Sequence, residues 1–581
     1  MMKRIALLFL LLFNGFLAQA QTFKTKFELS GGKETPTYFE GIAYYESLAE
    51  QFPEIDIRSF GETDSGYPLH LVIFSYDQNF DFQQAHEAGK AVMMINNAIH
   101  PGEPDGVDAC MMFLRDYVTD ARKKEQLKDV VIAIIPFYNI GGTLNRNSTT
   151  RVNQDGPASY GFRGNARNLD LNRDFIKADS KNAKAFAEIY HTVKPDVFID
   201  THVSNGADYQ YAITHLATQH NKLGGFLGKY LLEEMVPRLE KRMKEKDAEI
   251  IPFVNVYNSP PDKNGYTQFM DWPRYSTGYT TLFHTIGFMI ETHMLKPFDQ
   301  RVKATYAFLE SLTEITVKDK AQIKTMRKRR MERSIVGSTH PLSWKMDKSS
   351  YRQLEFKGYE AVNWKSNVTG LKRLYYDRNS PYTKVIPYYN HFSQDNVVKV
   401  PKAYVIPKSQ SAVIERLKMN NVDMQLIDSD QTAEVEVYTI DKFQTVTSPY
   451  EGHYLHYDVE VSAEKEEIVL KKGEYYIVNV EQDASRYIIE TLEPQAADSF
   501  FNWNFFDAIL QQKEHFSPYV FEDLAEELLK ADKALKKEFE EKRKKDVEFA
   551  ENWYAQLDFI YKRSAHHEKA YRRYPIYRLM N

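Results

Sequence analysis

The sequence predicts an α/β fold, in which a mostly parallel sheet is covered by helices on both faces, followed by a β-rich accessory domain and a helical C-terminal segment. Apolar runs such as 91–96, 130–136 and 197–200 alternate with helical periodicity in the first half of the chain, which is typical of buried parallel strands. Short runs rich in Val, Ile and Tyr, separated by turn residues, begin at about 346. A charged helical pattern covers about 523–561.

The domain organisation follows from these changes of pattern, because 581 residues are too many for a single core. The net charge of -5 is weak, so we expect no nucleic-acid partner. The basic stretch after the α/β part is interpreted as a linker or solvated helix. The predicted divisions are a signal peptide at 1–20, an α/β domain at 21–315, a basic linker or helix at 316–345, the β-rich accessory domain at 346–510 and the helical segment at 511–581.

The first twenty residues have the pattern of a secretory signal peptide. Lys3 and Arg4 precede an apolar run at 5–13, and Ala18-Gln19-Ala20 is a small-x-small cleavage site. The apolar run is too short to span a bilayer comfortably. We therefore expect an exported protein, periplasmic or extracellular, with no transmembrane span after signal cleavage. Its single cysteine, Cys110, excludes an internal disulfide and is interpreted as an inert buried thiol.

Two histidines stand where strands end. In His100-Pro101-Gly102-Glu103, a histidine and a glutamate three positions apart can reach one metal from a turn that enters a helix. The alternative is a surface loop turned by Pro and Gly. His202 follows the apolar run 197–200 and is placed to face a cleft, unless local hydrogen bonds satisfy it. Ligands of such sheets bind beyond the carboxyl ends of the strands.

A basic stretch and a strand-borne glutamate complete the set. Residues 163–175 contain three Arg and three Asn, and the planar arginine fork suits a carboxylate; the alternative is a solvated loop. Glu291 ends the apolar run 287–290, where a carboxylate is costly unless it has a partner or a task. Next to a metal-activated water it would be a general base; otherwise it reaches solvent.

In order and spacing, these motifs together resemble the zinc carboxypeptidase family of the carboxypeptidase A type, over about residues 35–310. The resemblance implies a mixed, mostly parallel sheet with helices on both faces. It also implies a zinc metallocarboxypeptidase that hydrolyses C-terminal peptide bonds with a zinc-activated water and a glutamate general base. The expected partner is a peptide substrate with a free C-terminal carboxylate.

The resemblance also implies a role for each matching residue. It implies one zinc ion per chain, bound by His100, Glu103 and His202. Glu291 would be the base, and Arg163 would polarise the scissile carbonyl, with Arg167 as a competitor for that role. Asn172 and Arg173 would bind the terminal carboxylate, and Asp170 would orient the first zinc histidine; Tyr275 would be the capping tyrosine, with Tyr279 and Tyr266 left open.

Some positions depart from the digestive members of the family. Thr292-His293 follows Glu291 where those enzymes carry Leu-Arg, and Asp174 replaces a neutral residue. These changes bear on which C-terminal residue of the substrate is preferred. No acidic residue stands clearly at the base of a specificity pocket. A zinc amidase acting on murein peptides or N-acyl amino acids is therefore an alternative. A catalytically inactive peptide- or glycan-binding protein is another, which loss of a ligand or of Glu291 would indicate. The sequence does not indicate the oligomeric state.

Overall fold

A computed structural model describes residues 23–331 and 336–580. The predicted signal peptide lies outside the described residues, so export stays a prediction. Within the described ranges, no helix is both long and apolar enough to cross a membrane.

The first half of the chain is built on an eight-stranded sheet. Its strands follow the order β1-β2-β4-β3-β5-β9-β6-β7. The central strands β4, β3, β5 and β9 are parallel, whereas β1, β2 and β6 run antiparallel to their inner neighbours. The predicted mixed, mostly parallel sheet is therefore confirmed. The first nine strands are β1 Ile55–Glu62, β2 Pro68–Ser75, β3 Ala91–Asn96, β4 Val130–Ile135, β5 Val197–Ser204, β6 Ile213–Ala217, β7 Ile250–Pro252, β8 Tyr266–Thr267 and β9 Ile286–His293.

Helices cover both faces of this sheet because side chains alternate along each strand. On β3, Met93 shares one core with Phe113 and Phe308, which come from two helices on one face. Its neighbour Met94 shares the opposite core with Phe186, from a helix on the other face. The helices of this half are Lys26–Leu29, Tyr38–Gln51, Phe82–Glu87, Asp105–Thr119, Ala121–Gln126, Ile140–Leu144, Lys181–Val193, His220–Leu223, Gly225–Tyr230, Val236–Glu245, Ser276–Thr281 and Phe298–Met331, with a 3₁₀ turn at Leu171–Arg173 and a π turn at Leu231–Met235.

The second half is rich in strands, as predicted. A six-stranded sheet has the order β17-β20-β16-β21-β18-β19. The long hairpin β12–β13 pairs with β8 to form a three-stranded sheet. The strands are β10 Thr339–Pro341, β11 Trp344–Met346, β12 Arg352–Lys365, β13 Lys372–Tyr389, β14 Phe392–Gln394, β15 Val397–Lys399, β16 Ala403–Pro407, β17 Gln425–Leu426, β18 Gln431–Thr445, β19 His456–Leu470, β20 Tyr475–Asn479 and β21 Tyr577–Leu579; the helices are Ser411–Met419 and Ser485–Leu492.

The C-terminal helices form a small satellite core. They run over Pro518–Ala531, Lys533–Lys545, Val547–Glu551 and Trp553–Tyr561, after a 3₁₀ turn at Asp507–Leu510. Asp532, Asp546 and Asn552 each accept a hydrogen bond from a backbone N–H of the helix that follows, which fixes where three of these helices begin. The chain then returns to the six-stranded sheet as β21.

The predicted segments pack against one another closely. Leu71 of the first sheet and Tyr487 of the accessory region belong to one hydrophobic core. The basic stretch begins inside the helix Phe298–Met331, and β10 and β11 occupy the end of 316–345. The division into separate domains stays a prediction.

Candidate active site

Three side chains that are distant in sequence converge beyond the carboxyl end of β3. His100 lies in the loop after β3, Glu103 lies just before the helix Asp105–Thr119, and His202 is carried by the neighbouring strand β5. All three are buried. The His100 Nδ1 and His202 Nδ1 atoms lie 3.3 and 3.2 Å from Glu103 Oε2, and 3.2 Å from each other.

The outer ring nitrogens fix which way these histidines face. His100 Nε2 lies 2.9 Å from Asp170 Oδ1, and His202 Nε2 lies 2.9 Å from Asp200 Oδ2. A neutral histidine that donates from Nε2 to a carboxylate presents the lone pair of Nδ1 on its other side. Three acceptors therefore point at one another, an arrangement that a cation between them would stabilise.

The donor set fits a metal ion of the zinc type. Four tetrahedral ligands with bonds of about 2.0–2.1 Å lie about 3.3 Å apart, and the separations in this group match that edge. Within the described ranges, His100, Glu103 and His202 form the one cluster of at least three such groups with this geometry. The site is placed for metal binding.

Asp200 is a partner that the sequence analysis missed. It accepts from Asn96 Nδ2 at 3.0 Å and from Ser276 Oγ at 2.5 Å, while it orients His202. Since residues i and i+2 of a strand share a face, the pattern Asp200-Thr201-His202 contains a signal for this contact. The predicted partner of His100, Asp170, lies within hydrogen-bond distance of it.

Arg151 is a second missed residue. Its Nη1 lies 2.6 Å from Glu103 Oε1, and its Nη2 donates to the Val203 carbonyl at 3.2 Å. Burial raises the pKa of Glu103, but the Arg151 charge is the largest opposing effect, and the pKa stays well below its usual value. A Cβ at Gly102 would meet Arg151 Cδ at 2.6 Å, so glycine leaves room for this arginine. Nothing in the local sequence around Arg151 indicates this contact.

Glu291 lies beside the histidine pair. It is carried by β9, in register with His202 on β5, and its side chain is half-buried. Burial raises the pKa of Glu291 to about 7; the nearby His202 opposes this shift and Glu103 adds to it. A carboxyl group with a pKa near neutrality can both take up and release a proton in this pH range.

Two arginines approach the carboxylate of Asp170. Arg163 pairs with Asp170 Oδ2, at 3.0 Å from Nε and 2.8 Å from Nη2, and its Nη1 lies 3.5 Å from Glu103 Oε1. The guanidinium of Arg173 lies over the Tyr275 ring, 4.6 Å from its centroid. Asn172 is buried and accepts at Oδ1 from the Ser276 backbone N–H at 3.1 Å. Arg167, in contrast, donates to the Asp179 carbonyl at 2.8 Å. Of these two arginines, Arg163 is therefore the one that approaches Glu103 and Asp170.

The candidate capping tyrosines differ in how exposed they are. Tyr279 and Tyr266 are buried, and their hydroxyls donate to Asn420 Oδ1 at 2.6 Å and to the Pro252 carbonyl at 2.9 Å. Both are therefore engaged in the interior. Tyr275 is half-buried beneath Arg173. Tyr257, which the sequence analysis did not consider, is 52% exposed, and burial and the Glu291 charge raise its pKa.

The departures from the digestive enzymes make internal contacts. Asp174 is buried and accepts from Lys177 Nζ at 2.7 Å and from Ser180 Oγ at 2.5 Å. His293 Nε2 lies 3.1 Å from Asp208 Oδ1. Thr292 Oγ1 donates to Asp105 Oδ2. These substitutions therefore support the elements around the site.

The model of the zinc carboxypeptidase family matches residues 42–206, the segment that contains the His-Glu-His group. Over this segment the chain is therefore similar to zinc carboxypeptidases.

Solved structures that resemble the chain include three carboxypeptidases. A metallo-carboxypeptidase from Burkholderia cenocepacia is 16% identical over 48% of this chain and 69% of its own, with a TM-score of 0.37. Carboxypeptidase A from Helicoverpa armigera is 15% identical over 50% and 73%, with a TM-score of 0.36. A metallo-carboxypeptidase from Pseudomonas aeruginosa, in complex with (2-guanidinoethylmercapto)succinic acid, is 14% identical over 48% and 68%, also at 0.36. Among curated proteins, no sequence matches this chain.

Proposed function

We propose that this protein removes C-terminal residues from peptides that have a free terminal carboxylate. In this proposal one zinc ion is bound by His100, Glu103 and His202, and Glu291 is the general base. The observation that carries the proposal is the convergence of three metal-type acceptors beside Glu291, with Arg163 and Arg173 both near Asp170.

The metal site would supply the electrophilic part of the reaction. A bound zinc ion acts as a Lewis acid and lowers the pKa of water to about 7. The chain's own residues then hold the water, the peptide and the proton. Three protein ligands are the number found in catalytic zinc sites, which keep one position open.

Glu291 is proposed to take the proton of the attacking water and to transfer it to the leaving amine. Its pairing with His202 across β9 and β5 supports this role. A positioned acid–base group contributes about 10²–10⁴-fold to a rate. Arg163 would donate to the oxygen of the scissile carbonyl, where negative charge develops in the transition state.

Asn172 and Arg173 are proposed to bind the terminal carboxylate. The Arg173 guanidinium is stacked on Tyr275 and its side chain is 21% exposed, so it is both held and accessible. A paired arginine–carboxylate contact is among the stronger charged hydrogen bonds. Tyr257 and Tyr275 are the candidates to cover the bound residue, because Tyr279 and Tyr266 are buried.

Matched peptides with free and amidated C-termini test the exopeptidase character. An amidated peptide lacks the charge that Arg173 would bind, which costs about 1.5–3 kcal/mol. We therefore expect kcat/KM to be about 10- to 150-fold lower for the amidated peptide. Arg173→Ala should reduce the ratio of kcat/KM between the two peptides, because it slows cleavage of the peptide with a free C-terminus.

Equal rates on the two peptides with the unmodified enzyme would contradict carboxypeptidase specificity. They would favour the alternative amidase on murein peptides or N-acyl amino acids. An inactive binding protein is disfavoured, because the three ligand-type residues and Glu291 are all present and adjacent.

A further inference from the structure

A turn of the accessory region contacts the candidate active site. Residues 450–453 lie in the connection between β18 and β19, and the backbones of Tyr450 and His453 close the turn with reciprocal hydrogen bonds of 2.7 and 3.0 Å. Glu451 Oε2 accepts a hydrogen bond from the Asp170 backbone N–H at 2.8 Å. Residues 281 positions apart in sequence therefore meet at the site.

Asp170 is the residue through which this contact reaches the chemistry. One of its carboxylate oxygens faces His100 Nε2 at 2.9 Å, and the other accepts from Arg163 Nε at 3.0 Å. Glu451 thus fixes the backbone of the residue that joins a candidate metal ligand to a candidate catalytic arginine. Among the residues that the structure describes, no cation forms an ion pair with Glu451, so its contact with Asp170 is not a by-product of a salt bridge.

The turn is anchored on both sides of Glu451. His453 Nε2 lies 2.7 Å from Asp179 Oδ2, in the segment that follows Arg173. The Tyr450 ring stacks on Trp503 and lies 5.6 Å from the guanidinium of Arg274, the residue before Tyr275. The turn therefore holds Glu451 against the active-site segment from two directions.

The backbone at Glu451 is unusual. Its φ is +49°, a left-handed conformation that residues with a Cβ adopt at a steric cost. Such conformations persist where surrounding contacts determine them, and they are found at functional sites more often than elsewhere. The anchored neighbours Tyr450 and His453 supply those contacts.

We propose that Glu451 is a positioning residue of the active site, and hence that the accessory region is part of the catalytic apparatus. The inference rests on the proposed function. Through Asp170, Glu451 would hold His100 in the orientation that binds the metal and Arg163 in the orientation that meets the substrate. Partners that orient metal ligands typically change metal affinity or activity by about 10–100-fold when they are mutated.

Three variants test the proposal: Glu451→Ala, Glu451→Gln and, as a matched control, Glu464→Ala on the exposed face of β19. Zinc retention is measured against a graded series of chelators, and kcat and KM are measured on a peptide with a free C-terminus. We expect Glu451→Ala to bind zinc about tenfold more weakly and to lose about tenfold in kcat, with KM within about twofold. Glu451→Gln should have a zinc affinity and a kcat within about twofold of those of the unmodified protein, because its amide oxygen accepts from the same N–H.

Two results would overturn the proposal. One is zinc retention and kcat in Glu451→Ala equal to those of Glu464→Ala. The other is Glu451→Gln impaired as strongly as Glu451→Ala, since that result would show that the charge acts and the hydrogen bond does not. Thermal melts of all three variants show whether each is folded. Failure of the unmodified protein to bind zinc would instead contradict the proposed function itself.

Discussion

At the scale of single residues, the site depends on carboxylates that direct histidines. Asp170 and Asp200 each face an Nε2 atom and turn the opposite nitrogen toward Glu103. In the proposed function, these histidines bind the metal, whereas proton transfer is assigned to a different residue, Glu291. Variants of the two groups should therefore have different consequences.

Replacing Glu291 by Gln should leave the metal in place and remove the base. We expect Glu291→Gln to retain zinc at the stoichiometry of the unmodified protein, while kcat falls by about 10²-fold or more. His202→Ala, in contrast, should lose zinc and activity together, because it removes a ligand. Metal analysis alongside peptide hydrolysis checks both. Near-normal turnover in Glu291→Gln would contradict the general-base role, and full zinc occupancy in His202→Ala would contradict the ligand assignment.

The residues that sequence reasoning found share a local signal. His100 and Glu103 are three positions apart, and His202 and Glu291 follow apolar runs. These patterns marked the four residues as candidates, and the resemblance to the zinc carboxypeptidase family assigned their roles. Arg151 reaches Glu103 from a loop 48 positions away, and no periodicity encodes such a contact. Glu451 is more remote still, because its approach depends on how two halves of the chain pack.

At the scale of elements, the hairpin β12–β13 is joined to the first half of the chain through β8. Tyr388 and Tyr389 of β13 pair with Tyr266 and Thr267 of β8, immediately after a turn at Gly265. The sequence predicted strands in this region, but their joining to the α/β half depends on pairing between distant segments, which composition does not show.

Gly265 is the residue on which this junction depends. Its φ is +69°, and an added Cβ would lie 1.8 Å from the Pro387 carbonyl oxygen. We expect Gly265→Ala to lower the free energy of unfolding by about 2–4 kcal/mol, from the left-handed backbone and the overlap together. The control is Gly370→Ala, which has φ +71° and no atom within 4 Å, and which should cost about 1 kcal/mol. Denaturant melts measure both variants. Equal decreases in the free energy of unfolding would show that steric contact with β13 does not constrain this turn.

At the scale of the whole molecule, the two halves are held together by buried charges as well as by a shared core. Arg486, in the helix Ser485–Leu492, donates to the carbonyls of Lys222 at 3.1 Å and Thr281 at 3.2 Å. Its charge is balanced by Glu490, which also faces His340 at 3.0 Å. This network lies between segments that the sequence suggested were separate. Arg486 and Glu490 are four positions apart on one helix, but Lys222, Thr281 and His340 are too far from them in the chain to be inferred from spacing.

Glu490 should make the stability of the molecule depend on acid pH. Burial raises the pKa of Glu490, but Arg486 and His340 outweigh this effect and lower the pKa to about 2, from a usual value of 4.5. Since the folded-state pKa is the lower one, the ionised carboxylate stabilises the fold above pH 4.5, and this contribution is lost as the pH falls toward 2.

Glu490→Gln should therefore lower the free energy of unfolding by about 3–5 kcal/mol near pH 7, because it leaves Arg486 buried without its partner. The difference from the unmodified protein should shrink below pH 4.5. Glu481→Gln, at an exposed position nearby, is the control and should change stability by no more than about 0.5 kcal/mol. A difference that stays constant from pH 7 to pH 3 would contradict the ionised state of Glu490.

The proposed zinc-dependent carboxypeptidase activity can be tested by hydrolysis of a peptide library read by mass, with zinc-loaded and with chelated protein. We expect products shortened by one C-terminal residue at a time, formed only by the zinc-loaded protein and only from peptides with free C-termini. Internal cleavage, or the same products after the metal has been removed, would contradict it.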